Sequence, residues 1–455
     1  MGERRRPHAV LVPFPAQGHI NPMMQLAKML VEQGFIISFV NNDYNYSRIA
    51  QANKHAGNAI ISGEGYICWV VIPDGLPPSN KRTDVSTLCH LAESVIVSFI
   101  DKLIGEVKEQ DPEQAIYLVT DDMLSTALDA AKCHRIPMAA LWTSLIVTYA
   151  LLYDLPNLVS SLLPSNGVPK DFTMVKYLYS MPPFYSAHLP WVVGFNETQQ
   201  EFLFRFNERY MERNRALKWV LFNSFYNLEA PIIGSLIVQG ASVCSIGPCI
   251  SSPRLNGEVH SEITANFWKE EAECLDWLDK QSQKSVVYVS FGSVAIVNQR
   301  QLEEFAPSLE ATQKPFLWVL RSVLMNGSSA LLPPGFMEAT KDRAYFVSWC
   351  PQMKVFSHPS VACFITHCGW NFVMESIAFG VTMLCWPYFT DQFFNCVYMV
   401  DVWRIGLALN KNSDGITEKK EIEMGVKRVF EDDEMKARVL KLSEEAKDAV
   451  KSETG

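Results

Sequence analysis

Apolar positions along this chain switch between a strand run and a helical period, and the switching predicts the architecture. His8 to Val12 is a short apolar run and is expected to be a strand. Phe14 to Ile20, with Pro15 and Gly18, reads as a loop. Asn21 then reads as a helix cap, with Pro22 in the first turn. Met23, Leu26, Ala27, Leu30 and Val31 recur at helical spacing, Gly34 marks the end, and Phe35 to Val40 reads as the next strand. Ile116 to Thr120 is a further strand running into Asp121 and Asp122, followed by a helix over Thr126 to Cys133. Strands that alternate with helices predict a parallel sheet covered on both faces.

A second series begins near residue 285. Ser285 to Ser290 reads as a strand, followed by the loop Phe291-Gly292-Ser293. A helix over Gln301 to Ala311 and a strand over Phe316 to Arg321 come next. Strands are expected at Ala344 to Val347, Val361 to Ile365 and Thr382 to Cys385, with a helix from Trp370 to Phe379 ended by Gly380. Between the two series, Gly247 to Thr264 is rich in Gly, Pro, Ser and Asn and reads as a linker. The expected domains are therefore 1–246 and 265–432, joined by 247–264, with a helical segment over 433–455. The fold class is α/β, and the default site is a cleft between the domains.

Composition agrees with this reading and excludes others. The chain has 455 residues, 48% of them hydrophobic, which suits two domains of roughly 200 residues. A net charge of -9 offers no general attraction to nucleic acid. Arg4, Arg5 and Arg6 form a basic start, but Pro13 cuts the following apolar run too short for a signal peptide. Met138 to Tyr153 falls short of a membrane span and reads as buried core. Eleven cysteines follow no disulfide framework, so reduced thiols in the cytoplasm are expected. In that compartment the glycosylation triplets at Asn45, Asn196 and Asn326 carry no meaning. His358, Cys363, His367 and Cys368 lack the paired spacing of a structural zinc site, so no metal is expected.

Ligands of open parallel sheets bind beyond the carboxyl ends of the strands. His19 follows the first strand and Asp121 ends a later one. Together they would make a general base, the carboxylate fixing the imidazole tautomer. Spacing alone favours a surface histidine and a strand-end aspartate that never meet. His367-Cys368-Gly369 lies between a strand and a helix, where free N–H groups and the helix dipole suit a phosphate. Gly369 admits close backbone approach. Ser293 offers a hydroxyl, Trp349 a flat face for a base, and Glu375 an acceptor for ribose hydroxyls. An ordinary strand–turn–helix unit with polar residues is the other reading. There is no G-x-G-x-x-G opening the first helix, no P-loop and no G-x-S-x-G elbow.

Trp349-Cys350-Pro351-Gln352, His358, Thr366-His367-Cys368-Gly369-Trp370-Asn371, Glu375, Gly380-Val381 and Asp391-Gln392 together resemble the signature of plant secondary-product glycosyltransferases. These are the UDP-dependent family 1 enzymes. Pro13 to Pro22, Ser290 to Ser293 and Phe316 to Arg321 are also similar to that family. The resemblance implies the GT-B fold, two Rossmann-like domains with parallel sheets facing a central cleft. It implies that Trp349 stacks on uracil, that the Cys350 backbone reads the base, and that Gln352 and Glu375 hold the ribose. Ser293, His367 and Asn371 would contact the diphosphate. Trp370, Asp391 and Gln392 would hold the sugar, Gln392 favouring glucose, and Thr143 would reach the 6-hydroxyl. His19 would be the base and Asp121 its partner, with Asp122 a structural neighbour.

The implied reaction is inverting transfer of glucose from UDP-glucose to a hydroxyl or carboxyl of a small lipophilic acceptor. It needs no metal or cofactor, no nucleic acid and no membrane segment, and a cytoplasmic monomer is expected. Four features depart from the family pattern. Phe372 stands where a phosphate-contacting Ser is usual, Thr382 replaces a Pro, and Ala362 replaces a Gly. Finally, the chain stops at Gly455, before the helix that usually returns to the N-terminal domain. Met435, Val439, Leu442 and Ala446 form the apolar stripe of the approach to it. An alternative is a paralogue that binds UDP-sugar or acceptor with impaired turnover.

Overall fold

The computed structural model describes residues 5–55, 66–77, 79–80, 82, 84–178, 181–250, 265–293, 297–320 and 332–451. Arg4, Arg321, the triplet at Asn326 and the linker from 251 to 264 lie outside them. The chain divides into two compact units, the second taking the described residues from Lys269 onward.

The first unit is built on a seven-stranded sheet. Its strands are β1 (His8–Val12), β2 (Ile36–Asn42), β3 (Ile67–Ile72), β4 (Ile116–Asp121) and β5 (Met138–Trp142). After a short antiparallel ribbon, β6 (Met174–Val175) with β7 (Phe184–Tyr185), come β8 (Trp219–Phe222) and β9 (Val243–Ser245). The order is β3-β2-β1-β4-β5-β8-β9 and every neighbouring pair is parallel. β1 is buried along its whole length, which is why it reads as a continuous apolar run. The expected core run from Met138 splits into β5 and a buried helix, Ile146–Tyr153.

The second unit holds β10 (Val286–Ser290), β11 (Phe316–Val319), β12 (Ala344–Val347), β13 (Val361–Thr366), β14 (Thr382–Cys385) and β15 (Gly406–Ala408). Their order, β12-β11-β10-β13-β14-β15, is the doubly wound order of a Rossmann domain. All pairs are again parallel. Both units thus carry the predicted Rossmann-like architecture.

The first helix departs from expectation. It spans Gln17–Glu32, with Ala16 as its cap, so Asn21 and Pro22 lie inside it. Pro22 forfeits one intrahelical hydrogen bond. Side chains of the early turns anchor the helix instead. Gln17 Nε2 donates to Asn21 Oδ1 at 2.8 Å and to the Ala265 carbonyl at 3.2 Å. Asn21 Nδ2 donates to Asn266 Oδ1 at 3.1 Å, and the Phe267 N–H donates to Gln17 Oε1 at 3.0 Å. Ala265 to Trp268 therefore belong with the first unit, although the sequence assigns them to the second domain. Arg48 also lies 4.4 Å from the Phe267 ring and 4.7 Å from the Trp268 ring. The helix ends as predicted at Gly34, whose φ is 87°. Gly34 N–H bonds the Val31 carbonyl and Phe35 N–H bonds the Leu30 carbonyl, the paired bonds of a Schellman cap.

The last helix, Asp433–Lys451, is part of the second unit. Met435, Val439 and Ala446 of the apolar stripe are buried, and Ser443 Oγ donates to the Ala378 carbonyl at 2.7 Å.

One buried carboxyl group ties elements of the first unit together. Glu229 accepts the Ile146 N–H at 2.7 Å and the Ser224 hydroxyl at 2.5 Å. Burial dominates these bonds and pushes its carboxyl up to about 8. Between the ordinary carboxylate range and that value, the folded chain holds a proton that the unfolded chain has released. Stability therefore falls as pH rises through this window. Glu229→Gln keeps an acceptor for Ile146 and cannot titrate. Thermal melts at pH 5 and pH 8 are expected to differ by several degrees less in the variant than in the parent, at about 2–4 °C per kcal/mol for a domain of this size. An unchanged difference would refute the assignment.

Candidate functional site

In the first unit, β1 and β4 are neighbours whose following segments leave the sheet separately, and Val12 is in register with Thr120. Asp121 closes β4 with its side chain fully buried, while His19 sits in the first turn of the helix after β1. His19 Nδ1 and Asp121 Oδ2 are 2.7 Å apart. The other carboxylate oxygen accepts the Met123 N–H at 3.2 Å, so both oxygens are committed. Thr143, just beyond β5, brings its Oγ1 to 3.2 Å from the same His19 Nδ1. His19 and Asp121 therefore meet, as the family resemblance implies and as spacing alone left open. With a carboxylate acceptor at Nδ1, the proton resides there, which makes Nε2 the basic nitrogen of the ring. The His19 side chain keeps 27% of its exposure, so the ring is reachable. Phe14 packs beside it, ring centroids 5.2 Å apart.

Asp122 is only 3% exposed. Burial, then the charge of Asp121, pushes its carboxyl well above the usual range. The charged form of Asp122 is therefore disfavoured.

In the second unit, β10 and β13 are the neighbours at which the strand order reverses. Gly292 and Ser293 follow β10, and His367, Cys368 and Gly369 follow β13. Gly369 caps the helix Trp370–Ala378. His367 is buried, and two glycines border its ring. A Cβ at Gly292 would lie 2.6 Å from His367 Nε2, and one at Gly369 would lie 2.5 Å from the same atom. Neither position admits a side chain without moving the imidazole. Gly292 also has a φ of 72°, a second reason for glycine. Phe372, in the first turn of the helix, meets the His367 ring edge to face, at 5.0 Å and 84°. It also stacks on Phe364 at 6.1 Å.

Around these lie the other predicted residues. Trp349 and Cys350 are buried after β12, and the Trp349 carbonyl accepts the Glu271 N–H at 2.9 Å. Gln352 Nε2 donates to Glu375 Oε2 at 2.5 Å, joining the two residues expected at the ribose. Tyr288 completes this network, its hydroxyl 3.1 Å from Gln352 Oε1 and 3.3 Å from Cys350 Sγ. Sequence reasoning missed Tyr288, because inside β10 it reads as one more core residue. Asn371 is half-buried and Trp370 is buried on the same helix. Asp391 Oδ2 accepts from Asn395 Nδ2 at 2.9 Å, and Asn395 also donates to the Cys368 carbonyl at 2.9 Å. Asn395 was likewise missed, although its spacing four residues after Asp391 was a usable signal. Gln392 Oε1 accepts the N–H groups of Tyr388 and Phe389 at 3.0 and 3.1 Å, fixing the loop before it.

Residues 86–451 match the protein family described as UDP-glucoronosyl and UDP-glucosyl transferase. UDP-glycosyltransferase 85A2 of Arabidopsis thaliana is 35% identical over 444 residues, covering 95% of this chain and 91% of that protein. The 7-deoxyloganetin glucosyltransferase of Gardenia jasminoides is 34% identical over 471 residues, covering 98% and 95%. Among solved structures, Phytolacca americana UGT2 complexed with UDP-2fluoro-glucose and pterostilbene is similar at a TM-score of 0.80. It is 28% identical, and the match covers 100% of this chain and 97% of that one. A Polygonum tinctorium UDP-glucosyltransferase capable of glucosylating indoxyl, in complex with 3,4-dichloroaniline, matches at a TM-score of 0.82 and 25% identity, covering 100% and 96%. With two Rossmann-like units and a histidine–aspartate pair at a strand edge, the chain belongs to the UDP-glucoronosyl and UDP-glucosyl transferase family, as a plant-type family 1 glycosyltransferase of GT-B fold.

Proposed function

We propose that this enzyme transfers glucose, with inversion, from UDP-glucose to a hydroxyl or carboxyl group of a small lipophilic acceptor. The observation that carries the reading is the 2.7 Å contact between His19 Nδ1 and Asp121 Oδ2. His19 Nε2 takes the acceptor proton, and Asp121 offsets the imidazolium that forms. The acceptor oxygen attacks the anomeric carbon from the face opposite the diphosphate. The bond to the β-phosphate oxygen breaks, and UDP leaves with the bonding pair. His367 and the N-terminus of the helix Trp370–Ala378 stabilise the growing phosphate charge, with Ser293, Gly369 and Asn371 beside them. Trp349, Cys350, Gln352 and Glu375 hold the nucleoside, while Trp370, Asp391, Gln392 and Thr143 hold the sugar. The proposed steps use side chains and backbone N–H groups and call on no metal.

Glucose is favoured by Gln392 and by the glucosyltransferase names of similar proteins. Pterostilbene and 3,4-dichloroaniline in the similar structures support an aromatic or otherwise lipophilic acceptor. Eleven unpaired cysteines support a reducing compartment, the cytoplasm, and we take the monomer as the working unit. Among the described residues no helix is long and apolar enough to cross a membrane. Nothing among those residues favours the reading of an impaired paralogue.

Two measurements test this function. UDP release from UDP-glucose, with a panel of phenols, terpenoids and hormones, is expected for at least one acceptor. His19→Ala is expected to lower kcat roughly 10²–10⁴-fold, the usual worth of a general base, with donor affinity unchanged. Full turnover by that variant would remove His19 from its role. The donor assignment predicts opposite effects at two nearby positions. Phe372→Ser gives up an edge-to-face contact of about 0.5–1.5 kcal/mol and gains a charge-assisted bond of about 1.5–3 kcal/mol. UDP affinity, read by calorimetry, is therefore expected to rise roughly eightfold at the midpoints of these ranges, and at most about 70-fold. Gly369→Ala pushes a methyl group into the His367 ring and is expected to weaken UDP binding. The same sign of change in both variants would contradict the donor geometry proposed.

A further inference from the structure

Three cysteines far apart in use and partly in sequence converge inside the second unit. Cys368 lies in the turn after β13, Cys385 ends β14, and Cys396 lies on the helix Gln392–Val397. Their sulfur atoms all lie within 4.8 Å of one another. A fourth sulfur, Met399 Sδ, is 4.0 Å from Cys385 Sγ. All four side chains are buried, and Cys396, at 7% exposure, is the least covered.

Backbone constraints aim these sulfurs at one point. β13 and β14 are paired, Thr366 in register with Cys385. Two residues after Thr366, Cys368 is held at a φ of 67°, a conformation that L side chains rarely adopt. Its N–H donates to Thr366 Oγ1 at 3.0 Å, and its carbonyl accepts from Asn395 Nδ2 at 2.9 Å. The neighbouring residue of Asn395 on the helix is Cys396. One hydrogen-bonded unit therefore positions two of the three thiols, and strand pairing positions the third.

We propose that Cys368, Cys385 and Cys396 form a binding site for one thiophilic divalent ion of the zinc, cadmium and mercury class, with Met399 as a weak fourth donor. Sulfur-only donor sets select such ions over magnesium or calcium. A trigonal ion about 2.3 Å from each thiolate sets the sulfurs about 4.0 Å apart, a spacing compatible with the 4.8 Å within which they lie. Binding releases the thiol protons to solvent and forms three metal–sulfur bonds, with no change of oxidation state. Three thiolates and one divalent ion leave a single negative charge. None of the three thiols takes part in the transfer step proposed above, so the site stands or falls independently of it.

The test uses the full chain with Cys68→Ser and Cys133→Ser, which removes the two exposed thiols. Cd(II) is added and the ultraviolet sulfur-to-cadmium charge-transfer band is followed. The band is expected to saturate at one equivalent. Cys385→Ser and Cys396→Ser are each expected to weaken uptake at least about tenfold, with circular dichroism melts showing that they fold. X-ray absorption on the protein with an intact cluster and one equivalent of Cd(II) needs neither of those variants. A shell of three or four sulfurs supports the site. A shell of oxygen and nitrogen, no band at one equivalent, or undiminished uptake by the folded serine variants overturns it.

Discussion

Parallel pairing of β1 with β4, and of β10 with β13, is the constraint on which the rest of this molecule depends. In a doubly wound sheet the order reverses at that pair, and the chain leaves the two strands toward opposite faces. The peptide groups and side chains just past the carboxyl ends are therefore not covered by a crossover. His19, Asp121 and Thr143 occupy that edge in the first unit, and Gly292, Ser293, His367 and Gly369 occupy it in the second. The same topology is used twice. What differs is which side chains the sequence places at the edge.

That difference gives the two histidines different chemistry. His19 has a carboxylate at 2.7 Å on one ring nitrogen and retains exposure, the conditions for a proton acceptor. His367 is buried between two glycines and against the edge of Phe372. Its orientation is set by packing, and it stands at the positive end of the helix Trp370–Ala378. A ring held that way is suited to donating a hydrogen bond to a fixed anion. The glycines matter here for the space they leave, since a methyl group at either would overlap the ring.

Much of this was legible in the sequence, for identifiable reasons. β1, β10, β13 and β14 are buried on both faces, so their apolar runs have sharp ends. Glycine marked helix ends at Gly34 and Gly380, both at positive φ. The start of the first helix was not legible. Local rules favour Asn21 as a cap and Pro22 in the first turn, but Gln17 and Asn21 bond to Ala265 and Asn266, more than two hundred residues away. No local pattern encodes such a contact. The same long-range bonds explain why Ala265 to Trp268 belong to the first unit. Tyr288 escaped because its polar partners, Gln352 and Cys350, are distant in sequence, and its ring alone fits a strand. Residue types, spacing and the family resemblance nominated candidates for both sites, while only the fold supplied the side chains that hold them.

The pair Asp121 and Asp122 shows how far such support extends. Two adjacent carboxyl groups, both buried, would carry two negative charges against one imidazole. Burial and the charge of Asp121 push the Asp122 carboxyl well above its usual range, which disfavours a second charge beside the imidazole. Asp121 is the member whose oxygens are both bonded, to His19 and to the Met123 N–H. Asp122 has no such arrangement: its Oδ2 lacks a hydrogen-bond partner. An ionised Asp122 would therefore pay the full cost of a buried, poorly solvated charge. The asymmetry arises because β4 ends at Asp121, which leaves that side chain facing the helix that bears His19, while the following turn takes Asp122 into the interior. The position of one strand end thus decides which of two identical carboxyl groups acts on the histidine.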